Sequence, residues 1–80
     1  MYLRLRVGAL MKERGISEEE LYKRAKVARN TVRALSRNSN TRVDFAVLER
    51  IAAALDVRPM ELFEESENPR GQLVPALAAA

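Results

Sequence analysis

The chain contains neither cysteine nor histidine. Disulfide scaffolds, thiol nucleophiles, haem attachment, imidazole acid–base chemistry and the usual zinc sites are excluded together, and any metal would depend on oxygen ligands. Aromatic residues are only 5% of the sequence, so the core is expected to be aliphatic. No apolar run approaches the roughly 18 residues needed to cross a bilayer, and Met1 to Gly8 lacks the apolar stretch of a secretory signal. A cytoplasmic protein without a membrane partner is expected. Eighty residues amount to one small domain and a tail, with little room for a catalytic cleft. Without His or Cys, catalysis would need a carboxylate pair or a lysine in such a cleft, so no enzyme, cofactor or metal is expected.

What is present is the material of a globular domain, 48% hydrophobic and 31% charged. Residues 1 to 63 alternate apolar and charged positions with helical spacing, whereas 64 to 80 hold two of the three prolines and few large apolar groups. A domain over 1–64 and a flexible C-terminal tail over 65–80 follow. The charge is uneven: residues 1 to 63 carry 13 basic and 8 acidic side chains, residues 64 to 80 carry 1 and 3. An acidic tail thus conceals part of a basic domain's charge, and an anionic partner fits that domain.

No strand alternation stands out, and the punctuation marks short helices. Ser17 with Glu20 is a capping box, and Ile16 with Leu21 is placed for a hydrophobic staple, predicting a helix over about 18–25. The same apolar pair recurs at Val27 and Val32, at Val43 and Leu48 around Asp44 as a cap, and at Val57 and Leu62 around Pro59 at a first helical position. Leu3, Val7, Leu10 and Met11 keep helical spacing up to Gly15, a natural C-terminal residue. The expected fold is all-α with five short helices. Only Lys26, Val27 and Ala28 separate the second helix from the third, a spacing that suits two helices meeting steeply, as in a helix-turn-helix.

From Leu21 to Val43 the chain has Lys23, Arg24, Lys26, Arg29, Arg33, Arg37 and Arg42 and no acid. If Val32 and Leu35 point inward, Arg29, Asn30 and Arg33 share the outer face of the third helix. The arginine fork fits guanine O6 and N7, and asparagine matches adenine N6 and N7, so this face has base-reading chemistry. Thr31, Arg37, Asn38, Ser39, Asn40 and Arg42 carry donors suited to phosphate oxygens. A lone exposed arginine pair is ordinarily only solubilising. Here a short turn, an acid-free basic stretch and a polar outer face coincide. Glu18 to Glu20 are explained by the dipole of the helix they open rather than by a metal. Tyr2, Tyr22, Phe45 and Phe63 are too few and scattered to form a stacking platform for single strands and are read as packing residues.

The segment ISEEELYKRAKVARNTVRAL followed by TRVDFAVLERIAAALDVRPMELFE resembles the Cro/CI-type, or XRE-type, helix-turn-helix family of bacterial and phage transcriptional regulators, over roughly residues 3 to 64. The resemblance implies a five-helix lambda-repressor-like domain whose third helix, Ala28 to about Ser36, enters the major groove of double-stranded DNA. It implies base contacts from Ala28, Arg29, Asn30 and Arg33, and backbone contacts from Lys26, Thr31, Arg37, Asn38, Ser39, Asn40 and Arg42. It also implies a repressor in the bacterial cytoplasm, associated with the nucleoid. Some positions depart from the family's pattern. Glu18 stands where many members have a phosphate-binding glutamine that braces the recognition helix, so that contact is expected to be absent or replaced. Lys26 occupies a turn position often filled by glycine, and Ala28 replaces a frequent Ser or Thr cap, each costing about 1 kcal/mol. Tyr22 replaces a small alanine, so the two helices must pack around its ring or turn it outward.

One short helix reads few base pairs, so a homodimer on a two-fold site would double the reading. Only the last helix, Pro59 to Phe63, and the tail are left to build it. The alternative class is a protein-interaction module, an antitoxin or adaptor holding a protein partner through the last helix or through Leu73, Val74 and Leu77 of the tail. Leu77 to Ala80 also resembles apolar tails recognised by bacterial proteases.

Overall fold

The chain begins with a strand where helical spacing predicted a helix. In the computed structural model, which describes residues 1–39 and 42–68, β1 spans Tyr2–Leu5. Four helices follow, α1 over Val7–Arg14, α2 over Glu18–Ala25, α3 over Arg29–Arg37 and α4 over Phe45–Leu55. A 3-10 turn at Pro59–Leu62 leads into β2, Phe63–Ser66. The all-α, five-helix expectation is therefore corrected: the described residues form four α-helices, a single 3-10 turn in place of the fifth, and a two-stranded antiparallel sheet.

The strand register explains the correction. Tyr2 pairs with Ser66, Leu3 with Glu65, Arg4 with Glu64 and Leu5 with Phe63. Directly opposed side chains share a face of the ribbon, so Arg4 meets Glu64 at 3.6 Å while Leu5 and Phe63 turn to the core. Leu3, assigned to the first helix by its spacing to Val7, is instead half exposed on the strand. The position expected to end the domain, residue 64, lies within β2. The tail residues Leu73, Val74 and Leu77 to Ala80, and Asn40 of the loop, lie outside the described residues.

Local signals placed the helix ends. The Glu20 amide donates to Ser17 Oγ at 3.1 Å and the Ser17 amide to Glu20 Oε1 at 3.4 Å, which completes the capping box of α2. Asp44 Oδ1 accepts from the Ala46 amide at 3.1 Å and opens α4. Glu61 accepts from the Arg58 amide at 2.7 Å ahead of Pro59. Gly15 ends α1 in the left-handed region, at φ 63°. Lys26, Asn38 and Asp56 end α2, α3 and α4 in the same region without being glycine. For Lys26 the expected left-handed strain is therefore present.

The helices bury one aliphatic core. Val7, Leu10 and Met11 of α1, Leu21 and Ala25 of α2, and Val32 and Leu35 of α3 meet Leu48, Ile51, Ala52 and Leu55 of α4, closed off by Leu5 and Leu62. Fully burying such a side chain contributes about 1.5–3 kcal/mol, which offsets the weak intrinsic stability of helices of 8 to 11 residues. α1 crosses α3 at Gly8, where a Cβ would stand 2.8 Å from the Ser36 carbonyl oxygen. That approach sets the depth of α3 in the fold.

Candidate nucleic-acid interface

α2, a short turn and α3 form the helix-turn-helix. Lys26 closes α2 at φ 57°, ψ 47°, its N–H donating to the Tyr22 carbonyl. Val27 is half buried against the core, and Ala28 is extended as the N-cap of α3 with no side-chain acceptor, so the predicted loss of a cap is observed. Val32 and Leu35 point into the core. Arg29, Asn30 and Arg33 are consequently exposed on the outer face of α3, with Ala28 exposed at its head. These are the residues that the helical period assigned to base reading.

The flanking donors divide. Lys26, Arg37, Ser39 and Arg42 are exposed and Thr31 is half buried. Asn30, Thr31, Arg42 and Val43 line a shallow groove between α3 and the start of α4, which places Arg42 beside the third helix although it lies across a loop. Among the described residues no carboxylate lies within ion-pair reach of Lys26 or Arg37.

Asn38 does not join them. It is 5% exposed, its Oδ1 accepts from the Leu5 amide at 2.6 Å, and its Nδ2 donates to the Leu5 carbonyl at 2.9 Å. The side chain expected to reach phosphate is committed to β1. The physical reason is strand geometry. Backbone groups alternate in direction along a strand, and the Arg6 amide, which donates to the Leu62 carbonyl at 2.6 Å, faces the β2 side. Leu5 turns its N–H and C=O the other way, and the Asn38 amide takes the place of a third strand.

The acids that open α2 also have partners. Glu19 pairs with Lys23 at 3.5 Å and Glu20 with Arg24 at 3.2 Å, both four residues apart on one helix. Glu18 reaches across to α3, where Arg33 Nη2 donates to its Oε1 at 3.4 Å. At this position, where the family's phosphate contact is expected to be absent or replaced, the side chain forms an ion pair with a base-reading candidate. The Tyr22 ring, half buried, lies under the Arg29 guanidinium, 5.8 Å from carbon to ring centre. Its packing is therefore split between the core and α3. The other basic groups near the sheet are paired, Arg6 with Glu13 at 3.3 Å and with Glu64 at 3.9 Å.

Two expectations from the sequence are revised. Phe45, read as a packing residue, is 80% exposed at the start of α4, because the core-facing stripe of that helix begins at Val47 and Leu48. Tyr2 is 46% exposed on β1, on the outward side of the ribbon. Glu18 and Tyr22 were not among the predicted site residues, yet both touch that site. Their spacing of four residues matches that of Arg29 and Arg33, but only the crossing of α2 and α3 makes the pairs meet.

The fold and this exposed basic face define a helix-turn-helix protein. The sequence model of the Cro/C1-type helix-turn-helix DNA-binding domain matches residues 6–66. The chain belongs to that family. A crystal structure of a candidate DNA-binding protein from Bacteroides fragilis is similar to it, with a TM-score of 0.70 and 19% identity, covering 79% of this chain and 100% of that one. That likeness shows the fold. A search of the curated proteins finds no match. Among the described residues, no helix is long and apolar enough to cross a membrane.

Proposed function

We propose that the protein is a sequence-specific double-stranded DNA-binding transcriptional regulator that lays α3 in the major groove and acts on DNA in the bacterial cytoplasm. Ala28, Arg29, Asn30 and Arg33 meet base edges, and Lys26, Thr31, Arg37, Ser39 and Arg42 meet phosphates. The observation that carries this reading is the exposure of Arg29, Asn30 and Arg33 on one face of the helix after the turn, flanked on both sides by cations. Its mode is repression by occupancy, since a domain seated on a promoter blocks polymerase with no further contact. A homodimer on a two-fold site supplies enough base pairs for selectivity.

Fluorescence anisotropy with a pool of random duplexes, at several salt concentrations, tests this reading. Three cations at phosphates, Lys26, Arg37 and Arg42, predict a slope of log K against log salt of about −2.7 per bound chain. The wild type selects one sequence from the pool, and Arg29→Ala with Arg33→Ala loses that preference while retaining part of its salt-dependent binding. Absence of binding at low salt, or a double mutant indistinguishable from wild type, rejects groove reading and leaves a protein partner as the ligand of this fold.

A further inference from the structure

The two arginines of the base-reading face are each held by α2. Glu18 and Tyr22 stand four residues apart on α2, and Arg29 and Arg33 stand four apart on α3, so each pair shares a helix face. The pairs match in opposite order, the first residue of one with the second of the other: Glu18 with Arg33 at 3.4 Å, Tyr22 with Arg29 at 5.8 Å. The geometry points to Glu18 and Tyr22 as specificity-determining positioning residues that present two arginine forks to two G·C pairs within one half-site. This inference rests on the DNA reading above and adds the class of sequence read.

The chemistry of the guanidinium supports it. Arginine has five N–H donors in a plane, and guanine takes two of them at O6 and N7. The bond to Glu18 uses Nη2, and the group retains other N–H donors for a base. The ring of Tyr22 contacts a guanidinium through the π-cloud and leaves its edge donors available. Both contacts are therefore compatible with a bound guanine. They oppose other partners. A carboxylate beside Arg33 is repelled by phosphates, so an Arg33 that swings to the backbone must leave Glu18 near uncompensated negative charge. At a guanine the ion pair persists, and the side chain is ordered before it docks, which lowers the entropy lost on binding. Glu18 thus lowers affinity for DNA in general and favours the base over the backbone. The role needs no deep burial: Glu18 is 29% and Arg33 45% exposed at the side chain.

The full chain carrying Glu18→Gln, Tyr22→Leu or Tyr22→Phe is compared with wild type by anisotropy, on the sequence selected from the random pool and on random duplexes. Glu18→Gln binds random duplexes more tightly and its ratio of selected to random affinity falls about tenfold. Tyr22→Leu, which keeps apolar volume without a π face, lowers the ratio several-fold at the base read by Arg29. Tyr22→Phe, which keeps the ring, stays within about twofold of wild type. Arginine Nε–Hε nuclear magnetic resonance of the free protein provides a readout independent of DNA: Glu18→Gln mobilises Arg33, and Tyr22→Leu shifts Arg29 out of the ring current. The inference is overturned if Glu18→Gln and Tyr22→Leu change selected and random affinities by equal factors, or if Tyr22→Phe loses as much as Tyr22→Leu. A selected half-site without guanine overturns it also. A wild type that binds no duplex removes the DNA reading and this inference together, an outcome distinct from uniform affinity changes in the variants.

Discussion

Replacing Asn38 should loosen the protein at the point where α3 is tied to the N-terminal strand. Its side chain satisfies both backbone groups of Leu5, at 2.6 and 2.9 Å, in a site only 5% exposed. Asn38→Gly keeps the left-handed backbone at φ 54° free of strain and removes only the side-chain amide. Leu5 then has a buried donor and a buried acceptor without partners, at about 1–3 kcal/mol each. If water entering the space recovers part of this, a loss of about 2–4 kcal/mol is expected, against a total of about 5 kcal/mol for a domain this small. The melting temperature should fall by about 8–30 °C. Asn38→Ala should cost about 1 kcal/mol more, because it also places a Cβ in the left-handed region. Asn38→Asp should fare no better than glycine, since it keeps an acceptor for the Leu5 amide but turns a second acceptor toward the Leu5 carbonyl. Thermal and urea unfolding followed by circular dichroism measure the total. Hydrogen exchange at the Leu5 amide gives the local reading, fast in Asn38→Gly and protected in wild type. A glycine variant within about 0.5 kcal/mol of wild type with a protected Leu5 amide would show that the amide does not hold β1, and would refute the reasoning.

Two other predictions concern single positions, and a third the stoichiometry on DNA. Gly8→Ala should destabilise by about 1–2 kcal/mol despite alanine's better helix propensity and should weaken DNA binding, because its Cβ meets the Ser36 carbonyl at 2.8 Å and displaces α3; Gly15→Ala, with nothing within 4 Å, should cost only its left-handed strain and leave DNA affinity unchanged, which titration of both variants checks. Lys26→Gly should raise stability by about 1 kcal/mol by relieving φ 57°, yet flatten the salt dependence of binding by about one unit of slope as a phosphate contact is lost; an unchanged slope would place Lys26 away from the DNA. Sedimentation with a duplex carrying two half-sites about 34 Å apart should give two chains per duplex, and a single chain at saturation would reject the dimer.

The exposed face of α3 was legible because it depends on short-range order. The period of 3.6, anchored by Val32 and Leu35, turns Arg29, Asn30 and Arg33 outward whatever the rest of the chain does, and three residues between α2 and α3 allow few geometries. Ser17, Asp44, Gly15 and Pro59 mark helix ends by bonds or dihedrals within four residues of themselves, so sequence alone determined those boundaries. Tertiary structure decided what depends on distant partners. Tyr2 to Leu5 is too short to show a strand pattern, and it becomes one only because Phe63 to Ser66 arrives from the far end of the domain. Asn38 has the composition of a polar loop residue, and its burial depends on Leu5, 33 positions away. Phe45 is as apolar as any core residue, but the rotation of α4 about its axis, set by Leu48, Ile51 and Leu55 packing inward, leaves it in solvent. Glu18 and Tyr22 carry the same lesson: a carboxylate and a ring four apart on one helix have no stated target until the crossing of α2 and α3 brings Arg33 and Arg29 onto them.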